Sequence, residues 1–123
     1  MRKKKILVVD DESGFTRLMK IALPRYEIRE ENDSQRALAT AREFRPDLIL
    51  LDVIMPGLDG GDLAAQFSED VVLRQIPIVF LTAIVSTGEA GKTARQIGGY
   101  PFLAKPVRAD ALEKCIEEHL AAS

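Results

Sequence analysis

Cysteine, histidine and tryptophan are nearly missing: the 123 residues hold one Cys, one His and no Trp. A single thiol excludes an intramolecular disulfide and any cysteine-based metal cluster, and it suits a reducing compartment. A surplus of one charge is lacking as well, since Lys+Arg 17 against Asp+Glu 19 leaves a net charge of −2. A nucleic-acid binder needs a basic excess to displace counterions from phosphates, so this balance argues against that class. No apolar run approaches the roughly 18 residues of a membrane span. The start Met1-Arg2-Lys3-Lys4-Lys5 is basic, but only Ile6 to Val9 follow before Asp10, too few for a signal peptide. The expectation is a soluble, cytoplasmic protein of one domain. With 46% hydrophobic residues, a chain of this length can bury a core without staples.

Four short apolar runs stand out: Ile6-Leu7-Val8-Val9, Leu48-Ile49-Leu50-Leu51, Ile78-Val79-Phe80-Leu81 and the weaker Tyr100-Pro101-Phe102-Leu103. They are continuous rather than alternating, as strands are when both faces of a parallel sheet are covered. Tyr26-Glu27-Ile28-Arg29-Glu30 alternates and carries charges, which predicts an edge strand. Between the runs lie helical spacings. Phe15, Leu18, Met19, Ala22 and Leu23 form one face, and Ala37, Leu38, Ala41 and Phe44 another, with Asp33 or Ser34 as its N-cap. Leu63, Ala64 and Phe67 continue the pattern, and Leu112, Cys115, Ile116 and Leu120 close it. Gly88 to Gly98 is the poorest helix candidate. Strand and helix alternate five times, so right-handed crossovers place helices on both faces of one sheet. The predicted fold is α/β: a flavodoxin-like, doubly wound, five-stranded parallel sheet of order 2-1-3-4-5.

Each strong strand ends in a residue with chemistry to offer. The first runs into Asp10, Asp11 and Glu12; the third ends in Asp52, the fourth in Thr82, and the fifth in Lys105-Pro106. Ligands of open α/β sheets bind beyond the carboxyl ends of the strands, where the strand order reverses, and here that is between the first and third strands. Asp10, Asp11 and Asp52 are thus expected in one crevice, with Thr82 and Lys105 on its far rim. Three carboxylates repel one another, and a hard divalent cation such as Mg²⁺ relieves the repulsion. Lys105 as a point charge and Thr82 as a hydroxyl donor complete the surroundings that a phosphoryl group in transfer requires, and a remaining carboxylate serves as nucleophile.

These residues carry a resemblance. Ile6-Leu7-Val8-Val9-Asp10-Asp11-Glu12, Pro46-Asp47-Leu48-Ile49-Leu50-Leu51-Asp52, Met55-Pro56-Gly57-Leu58-Asp59-Gly60, Pro77-Ile78-Val79-Phe80-Leu81-Thr82-Ala83 and Phe102-Leu103-Ala104-Lys105-Pro106-Val107 together resemble the receiver domain of bacterial two-component response regulators, over residues 4–121. The resemblance implies that Asp52 accepts a phosphoryl group from a histidine kinase or phosphotransfer protein. It also implies that Asp10, Asp11, Asp52 and the backbone carbonyl of Ile54 hold Mg²⁺, and that Lys105, in a cis bond to Pro106, contacts the phosphoryl group. Thr82 and Phe102 would carry the signal to the face made by the last helix pair and last strand, where an output domain or target protein binds. Ile54 and Ile84, flanking the approach of water, imply slow loss of the phosphoryl group. No enzymatic turnover beyond the domain's own phosphotransfer and dephosphorylation is implied, and no nucleic acid or membrane contact.

Two other patterns compete. Ser86-Thr87-Gly88-Glu89-Ala90-Gly91-Lys92-Thr93 ends like a P-loop, but Ser86 replaces its first glycine and the acidic strand precedes it. A haloacid-dehalogenase-type phosphatase shares the Asp, Thr and Lys, yet needs a second Asp where Ile54 stands. The rival in another class is a pseudo-receiver acting as a constitutive interaction module. His119 is expected in the last turn of the last helix, where a positive charge suits the dipole, and Cys115 as a small, at least half-buried side chain. Pro101 weakens the start of the fifth strand, and Arg108, in place of a capping residue, shifts the start of the last helix to Asp110.

Overall fold

The computed structural model describes residues 3–52, 60–82, 96–97, 100–104 and 108–122. Along them run β1 (Lys5–Val9), α1 (Ser13–Ala22), β2 (Glu27–Glu31), a 3-10 turn (Ser34–Arg36), α2 (Ala37–Phe44), β3 (Leu48–Asp52), α3 (Gly60–Glu69), β4 (Ile78–Thr82), β5 (Gln96–Ile97), β6 (Tyr100–Ala104) and α4 (Ala109–Ala122). The sheet order is β2-β1-β3-β4-β6-β5. The first five of these are parallel, so with β6 as the fifth parallel strand the expected 2-1-3-4-5 order holds.

Burial explains why these runs are strands. Along β1 and β3, successive side chains point to opposite faces, and both faces are covered. Leu7, Val9, Ile49, Leu51, Ile78 and Phe80 pack with Ala37, Ala41 and Phe44 of α2 and Leu63, Ala64 and Phe67 of α3. Ile6, Val8, Leu48, Leu50, Val79 and Leu81 pack on the other face with Met19 of α1, Leu23, and Leu112 and Ile116 of α4. β2, with its charged side chains, lies at the edge. Asp33 caps the 3-10 turn, its carboxylate accepting from Gln35 N–H, whereas α2 itself, expected to be capped by Asp33 or Ser34, follows Arg36 without a side-chain cap.

Three further local expectations need correction, while the weakened start of the fifth parallel strand at Pro101 is observed. Leu18 is 56% exposed; the buried stripe of α1 is Thr16 and Met19, continued by Leu23. Gln96 and Ile97, at the end of the segment proposed as a helix, form a short strand antiparallel to β6; its residues 88–95, and the P-loop-like stretch, lie outside the described residues. α4 begins at Ala109 rather than at Asp110, because the Arg108 carbonyl already accepts from Leu112 N–H at 3.0 Å. β6 does extend back to Tyr100, but its register with β4 starts only at Phe102, immediately after Pro101, which has no N–H to donate.

Candidate functional site

Parallel pairing brings the acidic residues together. Val9 is level with Leu51 across β1 and β3, so the next residues, Asp10 and Asp52, are level at the carboxyl ends. The chain leaves β1 toward β2 on one side and enters β3 on the other, which makes this crevice the switch point of the sheet. Asp10 is fully buried, Asp52 is 6% exposed, and Asp11 is open to solvent. One carboxylate oxygen from each of the three lies within 4.8 Å of the others.

The turn carrying Asp10 and Asp11 is tied down locally. Asp10 N–H donates to the Glu31 carbonyl at 3.1 Å, and Asp10 Oδ1 accepts from Glu12 N–H at 3.0 Å. Glu12 then begins α1, its carbonyl accepting from Phe15 and Thr16 N–H at 3.1 and 3.2 Å. The three donors are all carboxylate oxygens and two come from buried residues, a set that fits a hard cation such as Mg²⁺ rather than a thiophilic or imidazole-binding metal.

The other expected site residues divide. Thr82 ends β4, its backbone opposite Ala104 of β6, one residue further along the sheet than Asp52, which is opposite Leu81. Phe102 is half-buried and packs against the α2–α3 side of the core. Lys105, Pro106, Ile54 and Ile84 lie outside the described residues. His119 and Cys115 stand apart from the crevice on α4: His119 Nδ1 donates to the Cys115 carbonyl at 2.7 Å, and Cys115 is half-buried as expected. Burial, and secondarily Glu118, pushes the Cys115 thiol above its usual pKa.

The sequence reading missed a polar cluster behind the acidic turn, made by Thr16, Glu30 and Asn32. One signal was available. Thr16 falls on the apolar stripe of α1 with Met19 and Leu23, and a hydroxyl there needs a partner inside the protein.

Comparison with known proteins agrees with this geometry. Residues 6–117 match the family model for the response regulator receiver domain. Response regulator PleD of Caulobacter vibrioides is 39% identical over 105 residues, which are 84% of this chain and 23% of PleD. The phosphate regulon regulator PhoB of Pseudomonas aeruginosa is 36% identical over 107 residues, 84% of this chain and 45% of PhoB. The chain thus spans less than half the length of these relatives. The structure of chemotaxis protein CheY4 of Vibrio cholerae superposes with a TM-score of 0.79 at 28% identity, covering 94% of this chain and 98% of CheY4. With nearly the whole sheet and its acidic strand ends inside the matched span, this chain belongs to the response regulator receiver domain family of two-component signalling.

Proposed function

We propose that Asp52 is the phosphoryl acceptor of this receiver domain, working in the cytoplasm with a histidine kinase or phosphotransfer protein as donor. The observation that carries the reading is the meeting of the Asp10, Asp11 and Asp52 carboxylates across the ends of β1 and β3. An Asp52 carboxylate oxygen attacks the phosphorus of a phosphohistidine; the P–O bond forms as the P–N bond breaks, and the imidazole leaves with its electron pair. Asp10, Asp11, Asp52 and the Ile54 carbonyl would hold Mg²⁺, which when bound neutralises charge building on the phosphoryl oxygens. Thr82 offers a hydroxyl and Lys105 a cation to the remaining oxygens. Thr82 and Phe102 then relay the change to the face formed by the last helix pair and last strand, where an output domain or target protein binds.

Intact mass after incubation with acetyl phosphate and Mg²⁺ tests this. The parent gains one phosphoryl group and Asp52→Asn gains none. A fully labelled Asp52→Asn variant removes the assignment of the acceptor. A parent that stays unlabelled favours a constitutive interaction module instead.

A further inference from the structure

We propose that Asn32, seated on the buried hydroxyl of Thr16, is a positioning residue for the cation site, holding the peptide plane that joins Asp10 to Asp11. The inference rests on the reading of Asp10 and Asp11 as cation ligands. Asn32 Nδ2 lies 2.8 Å from the Asp10 carbonyl oxygen and 2.9 Å from Thr16 Oγ1. Thr16 is fully buried, and its Oγ1 lies 2.8 Å from Glu30 Oε1 and 3.1 Å from the Ser13 carbonyl. Both of those neighbours only accept, so the one Thr16 proton goes to them and its lone pair faces Asn32. The Asp10 carbonyl also only accepts. Asn32 therefore turns its NH₂ end to both, which settles the amide orientation chemically.

The consequence lies in which carbonyl is held. The C=O of Asp10 belongs to the planar peptide linking Asp10 to Asp11. On the N-terminal side, Asp10 N–H is already fixed to Glu31. With its carbonyl held as well, rotation of that plane is restrained on both sides of Asp10, and the starting direction of the exposed Asp11 is restrained with it. Beyond Thr16 the chain of contacts ends on Arg17, whose Nε lies 3.4 Å from Glu30 Oε2. Neither Asn32 nor Thr16 offers an atom to the cation; both act through the Asp10–Asp11 backbone.

Calorimetric titration with Mg²⁺, alongside urea unfolding of the same samples, tests the assignment. Asn32 is exposed, so Asn32→Ala should fold and unfold much like the parent yet bind Mg²⁺ roughly tenfold more weakly, as expected for a partner behind a metal ligand. Thr16→Val, which keeps the shape but removes the hydroxyl, should weaken Mg²⁺ similarly, and Thr16→Ser should restore it. Asn32→Asp adds a negative charge, which by charge alone would tighten a cation; placed against the Asp10 carbonyl it should weaken binding instead. Parent-like Mg²⁺ affinity in folded Asn32→Ala, or tighter binding in Asn32→Asp, overturns the proposal. If the parent itself takes up no Mg²⁺, the reading of the acidic crevice falls first, and this proposal with it.

Discussion

Asp70, just beyond α3, shows how a single side chain couples charge to stability. Its Oδ2 accepts from Arg42 Nε at 2.8 Å and from Arg42 Nη2, and its Oδ1 accepts from Val72 and Leu73 N–H at 2.9 and 3.2 Å. The Arg42 hydrogen bonds, helped by those of the two backbone amides, hold the Asp70 carboxyl below its ordinary pKa against the opposing effect of burial. A carboxylate whose folded pKa is depressed binds protons more readily unfolded. Its contribution is therefore present above the unfolded-state value and disappears as pH falls through the folded-state value. Asp70→Asn should be less stable than the parent at neutral pH in urea unfolding, with the gap closing in acid below the usual carboxylate range. A gap independent of pH would assign Asp70 a purely neutral, capping role. The acidic crevice was legible at this scale because Asp10 and Asp52 each directly follow an apolar run and Asp11 comes next to Asp10. Asp70 was not, because its guanidinium partner lies 28 residues away in the chain.

α1 shows what periodicity can and cannot say about an element. Its apolar residues outnumber the positions that face the sheet, and Thr16 rather than Leu18 shares the buried stripe with Met19 and Leu23, its hydroxyl satisfied by Asn32 and Glu30. Leu18 and Ile21 are left 56% and 68% exposed on the helix that leaves the acidic turn. On the proposed reading, a histidine kinase or phosphotransfer protein approaching Asp52 meets the end of the sheet from which this helix departs, and the exposed apolar pair is surface it can bury. Ile21→Glu should slow phosphotransfer from the protein donor several-fold, equivalent to about 1 kcal/mol. Labelling by acetyl phosphate should stay at the parent rate, since no docking is involved. An unchanged rate from the protein donor would take α1 out of that interface. The end of α2 at Phe44 was legible, but not its cap: Arg45 closes the helix in the left-handed region at φ 57°, where glycine is the usual choice. Pro46, next in the chain, disfavours further helix at Arg45.

At the scale of the whole molecule, two apolar layers sandwich the sheet and hold the strand ends level. Phe67 is fully buried between α2, α3 and the sheet, and neighbours there cannot close over an empty ring space. Phe67→Ala should lower unfolding stability by about 3–5 kcal/mol, whereas Leu18→Ala on the surface should stay within about 0.5 kcal/mol. Comparable urea midpoints for the two variants would show that the α2–α3 layer contributes little to the global fold. Among the described residues no helix is long and apolar enough to cross a membrane.

The five parallel strands, the edge place of β2 and the convergence of Asp10, Asp11 and Asp52 were determined by the sequence itself; the short antiparallel β5, in a segment that reads as a poor helix, was not. Continuous apolar runs need cover on both faces, right-handed crossovers restrict the strand order, and a residue just past a strand has to emerge at the sheet's carboxyl edge. Register and side-chain partnership were decided only in three dimensions. Asn32 meets Asp10 and Thr16 across 22 and 16 residues of chain, and Thr16 meets Glu30 across 14. β6 takes up its register with β4 only at Phe102, with Tyr100 and Pro101 paired to β5 instead. Local pattern carries the period of an element, but a hydrogen bond between distant residues depends on how two elements are set against each other, which packing of the whole sheet selects.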